Sequence, residues 1–403
     1  MPAPLLLDLS HTCHTRARTG IQRVSRALRG ELGAAALPVT HDPYARSWRP
    51  LAAWEEGNLA ATGGAARRGA RWPWRARVRG WLAAVGRGRG RVAAEGLRPN
   101  RGVLVPEVFS PAAAAALPAL LAAADGPAVA VFHDAIALQH PEFSPPGTVA
   151  RFPAYLLELL WFDGVAAVSE ASRDALCAYW EWQGLRDHPP VVAIPLGVDV
   201  PAAGVVAPAA EGPPEVLCVG SLEGRKNHLS LLAAAERLWR EGIRFRLRLI
   251  GLVQPATGAA AAARVRELQA AGFPLIHEAG AGDAAVAAAY ATCAFTVYPS
   301  RVEGFGLPVL ESLAHGKPCV CAGRGALGET ARGGGCLPVD DPGPEELAAA
   351  LRRLLTDASA RAGLAAAARA RPIRRWADHA ADLVAWQGGL ARRRRDQPPF
   401  RLP

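Results

Sequence analysis

Apolar segments alternate with amphipathic ones along most of the chain. In the second half, short apolar runs typical of buried strands are separated by stretches whose apolar residues recur every three or four positions, as on a helix face. After the apolar run Glu215–Val219, for example, Leu231, Ala235 and Leu238 fall on one side of a helix. Strands that alternate with helices in this way predict a parallel, doubly wound sheet of the α/β class.

The predicted elements are regular in the second half and less regular in the first. In the second half we predict strands at 215–219, 244–250, 275–277, 295–298, 318–322 and 336–339, with helices at 227–240, 261–271, 283–291, 308–315 and 345–355. In the first half we predict strands at 5–9, 102–105, 129–132 and 165–168, with helices at 20–31, 150–162 and 170–180. Each half therefore predicts one doubly wound α/β domain.

Length and one Pro-rich segment predict where the two domains meet. The chain has 403 residues, and domains of about 150–200 residues are typical. Residues 201–214, rich in Pro, Ala and Gly, are the best linker candidate. We predict a first domain at 1–208 with an Arg- and Trp-rich insertion at 61–101, a second domain at 209–372, a helix at 373–390 and a basic tail at 391–403.

Composition restricts the class of protein. Half of the residues are apolar and a fifth are charged, which is globular composition. The formal net charge of +10 comes almost wholly from Arg and favours anionic partners. Seven Cys without a CxxC pair favour reduced thiols. Residues 1–9 predict a strand and no signal peptide, and no apolar run reaches the roughly 18 residues of a membrane span. We therefore predict a cytoplasmic protein.

The segment 300–311 is the first candidate for chemistry, because it follows a predicted strand and opens a predicted helix. Gly304 and Gly306 allow the backbone to approach a ligand, and the free N–H groups of a helix start attract an anion such as phosphate. Glu303 and Glu311 would flank that anion. The spacing alone equally allows that Glu311 complements the helix dipole and that the glycines form a turn.

Two further segments end predicted strands. Arg225 and Lys226 lie just before a predicted helix, where two cations oppose the helix dipole, so a bound anion is one explanation and a solvated turn is the other. His133 follows an apolar strand in the first half, where it could donate a hydrogen bond to a substrate or serve only the fold. Ligands of open parallel sheets bind at these strand ends.

Together these segments resemble the family 4 retaining glycosyltransferases of GT-B fold. The run from Glu303 to Glu311 is similar to the E-x7-E signature of that family. The run 19–24 resembles an N-terminal motif of a bacterial subgroup that often builds surface polysaccharides. His133-Asp134 and the segments 168–172, 194–199 and 219–228 occur in the expected order. One departure is Ser221, at a position close to where many relatives carry Arg.

The resemblance implies a fold and an activity. The fold would be GT-B, with two Rossmann-like domains that face each other across a cleft, the first binding the acceptor and the second the nucleotide sugar. The helix near 376–387 would cross back to the first domain. The enzyme would move a hexose, with mannose from GDP-mannose as the donor suggested by the subgroup. The acceptor would be a saccharide or a lipid-linked sugar in bacterial polysaccharide or lipopolysaccharide biosynthesis. Anomeric configuration would be retained.

The resemblance also implies catalytic residues. Arg225 and Lys226 would neutralise the diphosphate leaving group, which makes electrostatic stabilisation the main catalytic effect. Glu303 would contact hydroxyls of the donor sugar, and His133 would face that sugar. No cofactor is implied. Because the sequence has no D-x-D pair to hold a metal-bound diphosphate, we predict no metal.

A second implied set binds the donor. Glu311 would contact the ribose, and Gly20 would allow the first loop to approach the diphosphate. The backbone of one further loop would bind the donor sugar and phosphate. This loop consists of Gly304, Phe305, Gly306 and Leu307.

Other classes of function fit parts of the sequence. Gly323, Gly325 and Gly328 match G-x-G-x-x-G, with Asp340 downstream, which would suggest an NAD-type Rossmann oxidoreductase. That fingerprint normally follows the first strand of its domain, whereas this one lies late. The Arg content would suit a nucleic-acid-binding protein, but the Arg residues belong to no known module. A third alternative is a non-catalytic homologue or an epimerase of the same fold. The presence of Lys226, Glu303 and Glu311 argues against lost activity.

The insertion predicts a membrane-binding surface. Residues 67–101 hold eleven Arg and one acidic residue, Glu95. Pro73 opens a predicted helix with one apolar stripe, flanked by Arg. A short basic helix with Trp on its apolar face is typical of binding to an anionic membrane surface, which the 392–395 Arg run would strengthen. The same stripe could pack on the first domain, or the insertion could be a disordered loop. The stripe consists of Trp74, Val78, Trp81, Leu82 and Val85.

Overall fold

The computed structural model describes residues 3–17, 19–61, 71–85, 92–94, 96–201 and 212–393. The chain forms two compact units. Unit one comprises residues 1–134, 151–195 and 376–403, and unit two comprises residues 135–150 and 196–375. Residues 202–211 of the predicted linker and 394–403 of the predicted tail lie outside the described residues. The segment 135–150, which we placed in the first domain, groups with unit two.

Unit one contains a sheet that, in the described residues, has seven strands in the order β3-β2-β1-β4-β5-β6-β7. All neighbours are parallel except β2 and β3, which pair antiparallel at the edge. Strands β4, β5 and β6 are buried along their whole length, as expected for strands covered on both faces. The strands are Leu5–Asp8 (β1), Ala36–Asp42 (β2), Ser47–Pro50 (β3), Val103–Val105 (β4), Ala128–Phe132 (β5), Gly164–Ala167 (β6) and Val191–Ala193 (β7).

Helices connect these strands, and the last of them comes from the far end of the sequence. Its Gln387 amide donates to the carbonyl oxygens of Val103 and Pro127, at 3.0 and 2.8 Å, and so ties that helix to the sheet of unit one. The helices are Gly20–Leu32 (α1), Ala53–Ala60 (α2), Trp74–Ala84 (α3), Pro111–Ala123 (α4), Ile136–Gln139 (α5), Pro146–Glu158 (α6), Glu170–Trp182 (α7) and Trp376–Gly388 (α15). Helix α5 belongs to unit two.

Unit two contains a parallel sheet of six strands, within the described residues, in the order β10-β9-β8-β11-β12-β13. Its core is aliphatic and lies between the sheet and its helices. The strands are Glu215–Val219 (β8), Arg246–Ile250 (β9), Leu275–Glu278 (β10), Phe295–Tyr298 (β11), Cys319–Ala322 (β12) and Cys336–Val339 (β13). The helices are His228–Arg240 (α8), Ala259–Ala270 (α9), Asp283–Thr292 (α10), Leu307–Ala314 (α11), Gly325–Ala331 (α12), Pro344–Thr356 (α13) and Ala358–Ala370 (α14).

The strand order confirms the predicted fold class of two doubly wound sheets. Renumbered within its unit, the second sheet has the order 3-2-1-4-5-6, which is that of the Rossmann fold. The order reverses between β8 and β11, which are neighbours in the sheet although they are far apart in sequence. The corresponding reversal in unit one lies between β1 and β4. Ligands of such sheets bind at the carboxyl ends of the strands at these switch points.

Helix α3 lies in the predicted insertion, of which residues 62–70, 86–91 and 95 are outside the described residues. The helix packs on unit one through Gly80, where a methyl group would lie 2.7 Å from Cβ of Tyr44. Trp72, just before the helix, stacks on His14 with ring centres 4.1 Å apart. The apolar stripe of α3 is mostly exposed, with Trp74 at 68% and Leu82 at 69%, although Trp81 contacts the Tyr44 ring edge-on with ring centres 5.7 Å apart.

Candidate functional site

The two loops of unit two that carry candidate residues leave the switch point of its sheet. One loop follows β8 and contains Arg225 and Lys226, and the other follows β11 and contains Glu303. Since β8 and β11 pair side by side, their carboxyl ends bring the two loops together. The main chain joins them as well, since the Arg301 N–H donates to the Arg225 carbonyl oxygen at 2.9 Å. The fold therefore places the predicted cations and carboxylate in one site.

The first loop is held in an unusual backbone conformation. Gly224–Lys226 forms one 3-10 turn, and Asn227 then adopts a left-handed conformation with φ of 56° before α8 begins at His228. The Asn227 side-chain amide donates to the Pro342 carbonyl oxygen at 2.6 Å and fixes this turn. A non-glycine residue in this region costs free energy, so the surrounding contacts determine the conformation. The turn buries Lys226, which is 7% exposed.

The second loop requires glycine at one position. Gly306 has φ of 103°, and a methyl group on it would lie 2.6 Å from the Leu327 side chain. The Thr330 hydroxyl donates to the Phe305 carbonyl oxygen at 2.7 Å, which fixes the loop from α12. Helix α11 then begins at Leu307, so Glu311 lies beyond its first turn. The interpretation of Glu311 as a complement to the helix dipole in that turn is therefore wrong.

Glu303 lies between the two cations. Arg225 contacts its Oε2 at 2.5 Å and Lys226 contacts its Oε1 at 2.6 Å, while the Glu303 side chain is 7% exposed. Burial alone would raise the pKa of Glu303, but Arg225 and Lys226 outweigh it and lower the pKa to about 2. Glu223 contacts Arg225 from the other side at 2.9 Å. This ion cluster, Glu223, Arg225, Lys226 and Glu303, has no net formal charge.

Tyr298 completes the ion cluster, and sequence analysis missed it. Its hydroxyl contacts the Lys226 ammonium and donates to Oε1 of Glu303 at 3.0 Å. The ammonium also lies 4.5 Å from the centre of the Tyr298 ring, within the range of a cation–π interaction. As the last residue of β11, Tyr298 looks like a core position in the sequence, so only its proximity to the following loop gave a signal.

Glu311 is buried in a separate contact. The Tyr290 hydroxyl, from α10, donates to its Oε2 at 3.0 Å. The ring of Tyr290 stacks on His315 with centres 4.9 Å apart, and His315 Nδ1 lies 2.9 Å from the Glu311 carbonyl oxygen. Glu311 is 6% exposed. The two glutamates of the pair are thus each held by a tyrosine from a different element.

His228 is another residue that sequence analysis missed. It is 2% exposed and follows the Asn227 turn. Burial, followed by the charges of Lys226 and His277, lowers its pKa to about 3. His228 is therefore a neutral imidazole next to Lys226 at any physiological pH.

In unit one, His133 lies at the carboxyl end of β5. Its Nε2 lies 2.8 Å from the Pro106 carbonyl oxygen, so Nε2 carries the proton. Burial lowers the pKa of His133, which keeps the ring neutral. A neutral ring that donates through Nε2 offers Nδ1 as an acceptor. The hydrogen-bond donation to substrate considered from the sequence is thus already used within unit one.

Two buried carboxylates lie at the switch point of unit one. Glu107, after β4, accepts from the backbone N–H groups of His11 and Thr12 at 2.8 and 2.9 Å. Asp8, at the end of β1, is held by Ser10, and burial followed by the Glu107 charge raises its pKa to about 7. These contacts order the loop that leads to α1.

Gly20 is the first residue of α1. Thr19 and Gln22 form a capping box at this helix start. Gly20 is exposed, and a methyl group on it would meet no protein atom within 4 Å. Packing within unit one therefore leaves this position open, and its role toward a donor stays a prediction.

One group in the described residues has the composition of a metal site. Potential ligand atoms of Cys13, His14 and Glu55 lie within 4.8 Å of one another. His14 contacts both Glu55 and the Ser10 carbonyl oxygen, at 2.8 and 2.6 Å. Arg49 contacts both oxygens of Glu55. Because an adjacent guanidinium opposes a metal cation and these atoms already have partners, we interpret the group as a structural ion network.

The sequence is similar to known enzymes in the second half and, more distantly, along most of its length. Residues 213–357 match the family described as Glycosyl transferases group 1. The serotype-specific mannosyltransferase WbdA of Escherichia coli is 27% identical over 337 residues, which cover 78% of this chain and 38% of WbdA. Glycogen synthase of Mycobacterium tuberculosis is 35% identical over 208 residues, 48% of this chain and 46% of that enzyme. The alignments thus span less than half of these curated relatives.

Solved structures share the fold over most of the chain. HepE of Anabaena, in complex with UDP and glucose, has a TM-score of 0.66 at 16% identity and covers 96% of this chain and 100% of HepE. Sucrose-phosphate synthase of Thermosynechococcus elongatus has a TM-score of 0.64 at 17% identity. This match covers 95% of this chain and 98% of the synthase. The chain therefore has the GT-B fold that these structures share. Within unit two, the match to the family described as Glycosyl transferases group 1 is confined to residues 213–357.

Proposed function

We propose that this protein moves a hexose from a nucleotide-diphosphate sugar to a saccharide or lipid-linked acceptor in bacterial polysaccharide biosynthesis. The ion cluster at the switch point of unit two carries this proposal. It places two cations where a Rossmann-like sheet binds ligands, inside a group 1 glycosyl transferase domain. Unit two would bind the donor and unit one the acceptor. No cofactor would be required beyond the donor itself.

Electrostatic stabilisation of the leaving group would supply most of the rate enhancement. Arg225 and Lys226 are fixed in place before the donor arrives, because Glu303 holds both. When the donor binds, its diphosphate would accept hydrogen bonds from these cations, and Glu303 would contact hydroxyls of the sugar. Backbone groups of Gly304–Leu307 would bind the sugar and phosphate. Glu311 would contact the ribose.

We further propose retention of anomeric configuration. The acceptor oxygen would attack the anomeric carbon on the face that the diphosphate leaves, and the departing diphosphate would accept the proton of the acceptor hydroxyl. His133, neutral and donating to Pro106, would accept from a sugar hydroxyl through Nδ1. NMR analysis of the anomeric proton in the first product formed tests this stereochemistry.

The donor is tested by thermal shift with GDP-mannose, UDP-glucose and ADP-glucose. Mannose is favoured here because WbdA, with which the chain shares 27% identity, is a mannosyltransferase. A donor at 100 times its dissociation constant stabilises a protein by about 2.7 kcal/mol. The nucleotide sugar with the correct base and sugar should therefore give the largest rise in unfolding temperature. Glycosyl transfer is the wrong function if none of the nucleotide sugars raises the unfolding temperature and none is consumed in the presence of a cell lysate that supplies acceptors.

Transfer should not need a divalent metal, because two protein cations neutralise the diphosphate. Activity measured after dialysis against EDTA is expected to stay within about twofold of the untreated enzyme, in contrast with sites where a metal supplies the charge stabilisation. Loss of activity on EDTA treatment, with recovery on added magnesium but not on added sodium, would contradict this proposal.

We propose that α3 binds an anionic membrane surface that presents the acceptor. Of the nine large hydrophobic side chains exposed among the described residues, five belong to its stripe and only four lie elsewhere. Arg75, Arg77 and Arg79 are exposed beside the stripe. The helix lies on Tyr44 through Gly80 and the edge of Trp81, which leaves the rest of the stripe exposed. No helix in the described part of the chain is long and apolar enough to span a membrane.

Sedimentation with anionic liposomes tests the membrane surface. We expect binding at low salt and much less at high salt, because each Arg near the surface contributes about 1 kcal/mol that salt screens. Replacing Trp74 and Trp81 by Ser should weaken binding further, since Trp anchors at the headgroup level. Trp182, 79% exposed on α7, provides the matched control, and its replacement by Ser should change nothing. Equal sedimentation of all three proteins would refute the role of α3.

A further inference from the structure

Tyr298 has the properties of a fixed hydrogen-bond donor. It is 3% exposed, and burial followed by the Glu303 charge raises its pKa well above the ordinary value, so the phenol keeps its proton. The hydroxyl accepts from Lys226 and donates to Oε1 of Glu303, and thus links the two residues in addition to their direct contact. When a diphosphate attracts Lys226, this hydroxyl still holds Oε1 of Glu303.

Tyr290 is equally constrained. It is 2% exposed, packs beneath β8 and stacks on His315, which belongs to the turn after α11. Its hydroxyl has two acceptors in reach, Oε2 of Glu311 at 3.0 Å and the Pro308 carbonyl oxygen at 3.4 Å. A glutamate side chain has three rotatable bonds, so a donor fixed on one oxygen restricts the orientations that the carboxylate can adopt.

We propose that Tyr298 and Tyr290 are positioning residues, each of which orients one glutamate of the E-x7-E pair toward the bound donor. The inference rests on the proposed function, because it assigns Glu303 to the sugar and Glu311 to the ribose. In this proposal each tyrosine acts through a glutamate and needs no contact of its own with the donor. Tyr290 acts on recognition of the ribose, and Tyr298 acts on the transfer step through Glu303 and Lys226.

Tyr290→Phe isolates the ribose contact. The substitution removes the hydroxyl and keeps the ring against His315. Affinities for GDP and UDP, and for their 2′,3′-dideoxy forms, are measured by calorimetry. Loss of a hydrogen bond to a charged group should lower the affinity for the better-binding ribonucleotide about tenfold. The affinity for its dideoxy form should fall much less. The ratio of the affinity for the ribonucleotide to the affinity for its dideoxy form therefore decreases. A purely structural role would weaken both forms equally, and that result would overturn the proposal for Tyr290.

Tyr298→Phe isolates the transfer step. The phenyl ring keeps its cation–π contact with Lys226, but Oε1 of Glu303 loses one of its two donors. We expect kcat to fall about tenfold with little change in the KM of the donor. In the Glu303→Gln background the same substitution should lower kcat much less than tenfold, because its effect through the Glu303 carboxylate is already lost and only the contact with Lys226 remains. Additive losses in the double variant would overturn the proposal for Tyr298.

Tyr155→Phe is the matched control. Tyr155 is 2% exposed in unit one, and its hydroxyl has no hydrogen-bond partner among the described residues, so its removal should leave binding and kcat unchanged. Wild-type protein that binds neither GDP nor UDP, and whose unfolding temperature no nucleotide sugar raises, would overturn the proposed function together with this inference. Wild-type binding combined with unaltered ribose discrimination in Tyr290→Phe would overturn the positioning role alone.

Discussion

Lys226→Ala is expected to lower the rate of sugar transfer by about two to three orders of magnitude, the range seen when one preorganised charge-stabilising donor is lost. Lys226 is buried in the ion cluster, where a diphosphate leaving group would gain more from one charge than it would in water. Affinity for the free nucleoside diphosphate should fall as well. Initial rates with saturating donor, together with calorimetric titration of the diphosphate, measure the two effects separately.

The chain supplies a matched control for that substitution. Lys317, the other lysine in the sequence, donates to the Cys293 carbonyl oxygen at 2.8 Å and takes no part in the ion cluster. Lys317→Ala should therefore cost some stability but leave transfer close to wild type. Wild-type turnover in Lys226→Ala, or an equal loss in both variants, would remove the role assigned to Lys226.

Glu303→Gln is expected to change binding and transfer in opposite directions. Arg225 and Lys226 each contact one oxygen of Glu303. A neutral amide would release both cations to the diphosphate and tighten its binding on the order of fivefold. Transfer should nevertheless fall by about two orders of magnitude, because the contact to the sugar and the placement of Lys226 are lost. Single-turnover rates and diphosphate titrations, done on the same preparation, test both signs.

Because the pKa of Glu303 is about 2, titration of this carboxylate does not affect the prediction near neutral pH. Because this pKa is lowered, the ionised carboxylate stabilises the folded protein at pH values above 4.5, the ordinary pKa of glutamate. This stabilisation is lost as the pH falls toward 2. Glu303 is hence ionised in the wild-type protein from about pH 6 to 9, so titration of this carboxylate adds no pH dependence to the ratio of the wild-type and Glu303→Gln transfer rates in that range. Weaker diphosphate binding in the variant would show that Glu303 attracts the donor more than it competes with it.

The sequence predicted unit two well because its strands and helices have distinct periods. Strands β8, β11 and β13 match the predicted bounds, and the loop after β8 and the one after β11 were identified as candidates for chemistry. The sequence did not reveal that β8 and β11 are neighbours, since that pairing depends on the winding of the whole sheet. Tyr290 and Tyr298 were missed for a related reason: a tyrosine in an apolar run has the same pattern whether it fills a core or holds a carboxylate.

Unit one was predicted less well, and the reasons are local. Strand β2 contains His41 and Asp42, both buried, which interrupt the apolar run that marks a strand. Helix α4 is apolar on all sides and so has no period to detect, although Ser110 caps it through the Ala113 N–H. The stripe of α3 was found from its spacing, while its exposure depends on Gly80 and could come only from the structure.

The position of α15 affects how the protein is made. Residues 376–393 are synthesised after all of unit two, yet they complete unit one. Trp386 covers Gly164, and Gln387 donates both to β4 and to the carbonyl oxygen of Pro127, just before β5. The Arg393 N–H donates to Asp163 at 2.6 Å. On the ribosome, unit two can therefore close while unit one still lacks its final helix. Nascent unit one would stay incompletely folded until α15 has been translated. During this interval it would be most accessible to chaperones and proteases.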